Sequence, residues 1–394
     1  MVTEKQSALL RMLKKDELKR INILQGAVRS GKTYISLILF AFFVAASPDG
    51  STFLMAGRTL NTLERNVLEL LKSMVGSKNF TYSLAKKSGK LFHKKIYFEG
   101  AGDNGAESKI RGMTLYGAYL DELTLLPESF FAMLLSRLSM EGAKLIATTN
   151  PDSPRHWLKE KYLDRADLSL LSVRFHIDDN TFLPADYIRD LKKEYTGLFY
   201  KRFVEGDWVV ASGLVYPMFT KEKNVRKIKE RADCPYFISV DYGTLNPCSM
   251  GLWQLVGDTA YRIKEYYHDG RATECIKTDE EYYKALETLA GDRCISYVVV
   301  DPSAASFIEV IRRHGKFSVR KAINRVLDGI RRVSSLLEQE RLIISPECVA
   351  TIKEFETYAW DNEATTDTVV QISDHAMDDI RYFVNTVMPV SLWG

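Results

Sequence analysis

Apolar residues along the chain fall into short runs set between polar, helix-spaced stretches, an alternation that predicts a mixed α/β fold. The first run, Ile21, Ile23 and Leu24 around Asn22, reads as a buried strand. A glycine loop follows, then an almost unbroken apolar stretch over 35–46. About a dozen residues is too short to cross a bilayer, so this stretch is read as a helix buried behind the loop. Ahead of the strand, residues 1–20 read as a polar amphipathic helix containing Gln6. Residues 52–56 predict a second strand, with a leucine-bearing helix over 61–74. The buried-strand pattern recurs at 115–120 and 144–147. Residues 153–162 then predict a helix, 174–176 close another strand, and 183–203 read as a charged helix.

The second half has its own pattern. Residues 236–240 predict a strand ending at Asp241. Residues 250–256 and 259–267 predict a hairpin around Gly257-Asp258. A helix over 279–289 leads to a strand at 296–300 that ends at Asp301. The last helix spans 374–387, where His375 and Asp378, three apart, share one face. Ser212-Gly213 marks a hinge, so the expected organisation is residues 1–205, a linker at 206–215, and residues 216–394. A chain of 394 residues exceeds what one hydrophobic core usually serves.

Composition narrows the picture. An apolar share of 46% and a charged share of 27% describe an ordinary soluble protein, and no membrane association is expected. Net charge is only +3, so any basic surface for nucleic acid must be local. The five cysteines are scattered without a C-x-x-C pair, which suits a reducing cytoplasm better than a disulfide frame or zinc site.

The strongest chemical signal is Gly26-Ala27-Val28-Arg29-Ser30-Gly31-Lys32-Thr33, between the first strand and its helix. Such a loop wraps backbone N–H groups around a phosphate, and the helix start adds its positive dipole end. Lys32 would reach the β- and γ-phosphates, and Thr33 would offer its hydroxyl to magnesium. Leu120-Asp121-Glu122 supplies the partner: a strand delivering two carboxylates at its carboxyl end. Asp121 would hold magnesium through water, and Glu122 would polarise the attacking water. Thr148-Thr149-Asn150-Pro151 ends a further strand, where it would sense the γ-phosphate or simply turn the chain. Gln6 would contact an adenine edge, favouring ATP, or sit as a solvated helix residue; spacing leaves both open.

In the second half, Asp241 and Asp301 end strands that could be parallel neighbours, and Asp378 projects from a covering helix. Three such carboxylates can gather around two magnesium or manganese ions about 4 Å apart, for phosphodiester cleavage. His375 would orient a ligand or shuttle a proton. Two basic stretches, 86–95 and 312–332, could contact a DNA backbone or lie solvated.

Assembled, these residues resemble the large subunit of a tailed-phage terminase. The motifs that carry the resemblance are Gly26–Thr33 with its internal Arg29, Ile110-Arg111-Gly112 before Leu120-Asp121-Glu122, and Thr148-Thr149-Asn150-Pro151. Glu205-Gly206-Asp207-Trp208 and His375-Ala376-Met377-Asp378-Asp379 complete the set. The resemblance implies an N-terminal ASCE-type P-loop ATPase joined to a C-terminal ribonuclease-H-like α/β nuclease. The pair would drive double-stranded DNA into a procapsid and cut concatemers with two metal ions. It implies Arg29 as a residue stabilising γ-phosphate charge, Gln6 as the adenine contact and Asn150 as part of the coupling motif. At Asp379 the family usually has a small residue, so no metal role is assigned there. The implied partners are DNA, a portal protein, the terminase small subunit and further copies of the chain in a ring on the procapsid, the free chain being monomeric. The implied place is the host cytoplasm. The alternative is a P-loop DNA remodeller or helicase whose C-terminal domain only binds nucleic acid.

Overall fold

A computed structural model describes residues 3–388 except 104, 196, 362, 363, 365, 366 and 373, and leaves the side chains of 193 and 194 undescribed. The ends of the predicted first helix (residues 1 and 2) and of the predicted second domain (389–394) lie outside the described residues. The chain divides into two compact units, Met1–Lys192 with Leu198–Val210, and Lys193–Gly197 with Ala211–Gly394. No helix among the described residues is long and apolar enough to cross a membrane. All five cysteines are free.

The first unit is built on β1 (Ile21–Gly26), β2 (Thr52–Gly57), β3 (Phe80–Ser83), β4 (Ser88–Leu91), β5 (Lys94–Gly100), β6 (Gly117–Leu120), β7 (Lys144–Thr149) and β8 (Leu170–Phe175). Their order in the sheet is β3-β4-β5-β2-β6-β7-β1-β8. From β5 to β8 every pairing is parallel; β3, β4 and β5 form an antiparallel edge. Alternating side chains feed two cores. Leu24, Phe53, Met55 and Tyr119 pack on the side of helix Lys32–Ala46, while Ile23, Leu54, Ala56, Ala118 and Leu120 pack on the side of helix Glu128–Arg137. A parallel sheet covered on both faces requires such continuous apolar strands. It also brings the carboxyl ends of β1, β6 and β7 to one edge.

Three helical expectations change in detail. The first helix is Glu4–Lys14, opened by a Thr3–Gln6 capping box. The helix expected over 61–74 contains a π turn, Glu64–Leu68. The charged stretch at 183–203 is divided into Ala185–Glu194, Gly197–Tyr200 and a π segment Lys201–Glu205, with Gly197 at φ 53° between the first two. The Gly206-Asp207-Trp208 stretch belongs to the first unit. Trp208 Nε1 donates to Gln25 Oε1 on β1, and Asp207 pairs with Arg174 on β8.

Gly26 ends β1 at φ 134°, and a Cβ there would lie 1.9 Å from the Phe175 carbonyl oxygen of β8. Gly26→Ala is therefore expected to lower stability by about 2 kcal/mol or more, read from the urea midpoint. A loss under about 0.5 kcal/mol would mean that the two backbones separate freely.

The second unit contains β9 (Tyr236–Asp241), β10 (Cys248–Val256), β11 (Thr259–His268), β12 (Ile295–Val300), β13 (Val319–Lys321) and β14 (Leu342–Ile344), in the order β13-β12-β9-β10-β11-β14. β9, β10 and β11 run antiparallel, joined between β10 and β11 by Gly257-Asp258 with Gly257 at φ 60°. β12 runs parallel to β9, and β13 parallel to β12. Ile238, Val240, Met250, Leu252, Val298 and Val300 face helices Asp279–Ala290 and Ala305–His314. The opposite face meets helix His375–Val387, where Trp253 stacks on Phe383 at 4.2 Å and Phe237 meets the same ring edge-on. Asp241 shares that second face with Phe237 and Ser239 by alternation.

Candidate functional site

β1 hands over to helix Lys32–Ala46 through a loop with Arg29 at φ 55° and Gly31 at φ 84°. Gly31 is the N-cap, and no side chain caps this helix, so its first N–H groups remain available to an anion. The loop is braced from within. Ser30 Oγ donates to the Ala27 carbonyl at 2.8 Å, and Lys32 Nζ to the same oxygen at 2.8 Å. Lys32 also donates to Asn150 Oδ1 at 2.6 Å. Burial pulls its ammonium down to about 8, partly offset by Asp121 and Glu122. A buried cation short of countercharge favours an anionic ligand.

Asp121 ends the β6 run, 7% exposed, and accepts from Thr148 Oγ1 at 2.7 Å. Burial raises its pKa against the opposing pull of Thr148 and Lys32. Glu122 is held at φ 52°, a left-handed conformation uncommon for a residue with a Cβ and recurrent at active sites. Arg29, Ser30, Gly31, Lys32, Thr33, Asp121, Glu122 and Asn150 line one cavity of about 600 Å³. Gly26 and Gln6 do not. Gln6 is 3% exposed; its Nε2 donates to the Gly31 carbonyl at 3.3 Å and its Oε1 accepts from Thr3 N at 2.9 Å. Here Gln6 braces the loop from behind, and these two bonds use one of its two amide N–H groups and one of its two carbonyl lone pairs. Thr148 and Thr149 of the predicted strand end also line the cavity, and it is completed by Tyr34, Arg65, Asn66, Leu70, Asn180 and Leu183, to which sequence reasoning gave no role. Asn180 Nδ2 donates to the Arg29 carbonyl at 2.7 Å, helping to fix that strained residue.

In the second unit, Val240 and Val300 are paired in parallel, and Asp301 N donates to the Val240 carbonyl at 3.1 Å. Asp241 and Asp301 therefore leave neighbouring strand ends together. His375 Nδ1 lies 2.8 Å from Asp241 Oδ2. Burial pushes the Asp241 carboxyl up to about 6; His375 opposes this, and the charges of Asp378 and Asp301 add to it. Burial raises the pKa of the Tyr382 phenol, and the charges of Asp241, Asp378 and Asp301 add to this. Burial alone would lower the His375 pKa, but Asp241, Asp374 and Glu354 outweigh it and the net shift is upward. Each acid has a protein partner: Asp301 accepts from Ser303 N and Oγ at 2.9 and 2.7 Å, and Asp378 pairs with Arg381. Among the described residues no three His, Cys, Asp or Glu side chains stand as a ready cation cage. Asp241 and Asp301 leave adjoining strand ends, and the oxygens of each acid are bonded to these partners. The all-oxygen donor set and its excess of negative charge suit a hard divalent cation.

A family model described as "Terminase large subunit, T4likevirus-type, N-terminal" matches residues 23–222, half of the chain. The chain belongs to the terminase large-subunit family. It is similar to the large terminase of a thermophilic bacteriophage at 37% identity and TM-score 0.91, covering 98% of this chain and 99% of that one. The same thermophilic-phage terminase in complex with ADP matches at 36% identity and TM-score 0.90 over the full length of both chains. The "Terminase, large subunit" of Escherichia phage T5 is 19% identical over 278 residues, which span 66% of this chain and 62% of the length of the T5 protein.

Within this terminase chain, two features that hold the last helix in place escaped sequence reasoning. Glu354 Oε2 accepts from Ala376 N at 2.7 Å and Met377 N at 3.2 Å, capping the helix that bears His375 and Asp378. Asp379 forms a doubly bonded pair with Arg262 at 2.7 and 2.8 Å and also accepts from Ser239 and Ser249, all fully buried. Asp379 is thus a structural anchor directed away from Asp378. Asp379→Ala is expected to lower stability by about 3–5 kcal/mol, because the buried Arg262 loses its countercharge. Urea unfolding reads this, and a loss below about 1 kcal/mol would show that water reaches the guanidinium. The basic stretches are largely engaged: Lys94 pairs with Asp49, Lys87 with Glu99, Arg313 with Glu280 and Lys316 with Glu287, and Arg320 lies 3.8 Å over the Tyr297 ring.

Proposed function

We propose that this terminase chain hydrolyses ATP to drive double-stranded DNA into a procapsid and cuts the DNA with a nuclease centre in its second unit. The observation that carries the first half is the single cavity shared by the Gly26–Thr33 loop, Asp121, Glu122 and Asn150. β7 interposed between β1 and β6 agrees with an ASCE-type ATPase. The thermophilic-phage terminase bound to ADP supports a nucleotide in the corresponding place. In the second unit, three antiparallel strands followed by parallel β12 and β13 agree with a ribonuclease-H-like nuclease, with Asp241 and Asp301 at adjoining strand ends.

On this reading, loop N–H groups, Lys32 and Arg29 hold the phosphates, and Thr33 and Asp121 hold magnesium. Glu122 takes the proton of the attacking water. Asn150, bonded to Lys32, couples the occupied site to the rest of the unit. Asp241, Asp301 and Asp378 hold magnesium or manganese for cleavage, with His375 steadying Asp241. Divalent cations, when bound, supply Lewis-acid charge to the oxygens of the bond being broken. DNA is gripped through its phosphates, so translocation is indifferent to sequence. The partners are a portal protein, the small subunit and further copies in a ring, working in the host cytoplasm. The test is DNA-stimulated ATP turnover and metal-dependent plasmid cleavage by the purified full chain. Turnover without cleavage in any divalent metal would favour a remodeller whose second unit only binds DNA.

A further inference from the structure

We propose that Arg65 binds the terminal phosphate of the nucleoside triphosphate, a contact that rests on the nucleotide reading of the cavity. Glu64–Leu68 is a single π turn, closed by Glu69 N–H on the Glu64 carbonyl. Such turns accommodate an extra residue and recur at functional sites. Leu63, Val67, Leu68 and Leu71 are fully buried, whereas Arg65, Asn66 and Leu70 line the cavity. In an unbroken α-helix, five steps of about 100° would leave positions 65 and 70 about 140° apart. An i→i+5 ring sets residues five apart nearly above one another, so the π turn is what lets Arg65 and Leu70 share the cavity side while the core contacts persist.

The segment enters beside the acidic pair. β2 pairs with β6, Ala56 opposite Leu120, and a Cβ on Gly57 would lie 3.8 Å from the Asp121 Cβ. The phosphate loop comes from β1, with β7 between it and β6. A nucleotide whose inner phosphates lie in the loop extends its outer phosphate toward Glu122 and so toward Arg65. Lys32 is already bonded to Ala27 and Asn150. Arg65 is exposed and has no hydrogen-bond or ion-pair partner among the described residues. An arginine keeps its charge and offers paired N–H groups that match a phosphate edge.

The test titrates full-length wild type, Arg65→Ala and Arg65→Lys with a fluorescent ADP analogue, and with ATPγS in competition, both with Mg²⁺. ADP affinity is expected to stay within about twofold in all three. ATPγS affinity is expected to fall about tenfold or more in Arg65→Ala and less in Arg65→Lys, the size of a charge-assisted hydrogen bond. Equal weakening of both nucleotides, or no change in either, overturns the assignment. A wild-type chain that binds neither nucleotide overturns the nucleotide reading itself, which the ADP arm separates from a failure of Arg65 alone.

Discussion

Glu122→Gln should hold ATP about as tightly as wild type while hydrolysing it about 10²–10⁴-fold more slowly, the usual contribution of a positioned general base. The expectation follows from where the side chain starts. Asp121 is buried and tied to Thr148, while Glu122 is partly exposed, lines the cavity and sits at φ 52°. Backbone strain of this kind persists only where the surroundings enforce it, and it accompanies a side chain that lines the cavity. Glutamine keeps the shape and can still order a water, but it cannot accept the proton. Phosphate release under single-turnover conditions, set beside equilibrium ATPγS binding, separates the two steps. Near-normal turnover would remove Glu122 from the role of base. Loss of binding would place it among the groups that hold the nucleotide.

The parts of this arrangement that were legible in the sequence are those encoded by local chemistry. A glycine loop between an apolar strand and an apolar helix, and a strand ending in Asp-Glu, each carry their geometry in a few adjacent residues. The fold places Lys32, Asp121 and Asn150 together because β1, β7 and β6 are neighbours and end at one edge. What was not legible depends on side chains meeting across the chain. Arg65 lies in a stretch read only as a leucine-bearing helix, and a π turn, which has no sequence period of its own, sets it on the cavity side with Leu70. Gln6 shows the converse: its place ahead of the loop suggested a base contact, yet a local capping box and the Gly31 carbonyl hold its amide. Asp379 was set apart from Asp378 only by resemblance, and its actual partner was not legible. One helical step of about 100° sends Asp379 toward Arg262 and Asp378 toward Arg381. The charged stretch at 183–203 read as one helix because its helical spacing continues across Gly197, where the backbone turns left-handed.

Asp241→Ala should reduce metal-dependent DNA cleavage about a thousandfold or more while ATP turnover stays within about twofold. Metal-assisted charge stabilisation is worth several kcal/mol, and each 1.36 kcal/mol is about tenfold in rate. Asp241 is the member of the acidic cluster on which the others converge: it bonds His375, adjoins Asp301 through the β9–β12 pairing, and feels the charge of Asp378. Loss of cleavage through unfolding is distinguishable by the sign of the pH effect. The folded carboxyl is raised to about 6, above its value of about 3.9 in an unfolded chain. Its contribution to stability is therefore fully present below about pH 4 and is lost as pH rises through 6, so at pH 7 the ionised group weakens the fold. Removing it should leave the melting temperature at pH 7 about equal to that of wild type or higher, the lost His375 contact working against the gain. A variant that melts well below wild type and loses ATP turnover in parallel would assign Asp241 to the fold. A variant that melts normally, turns over ATP and still cuts DNA would take the nuclease centre away from the β9–β12 junction.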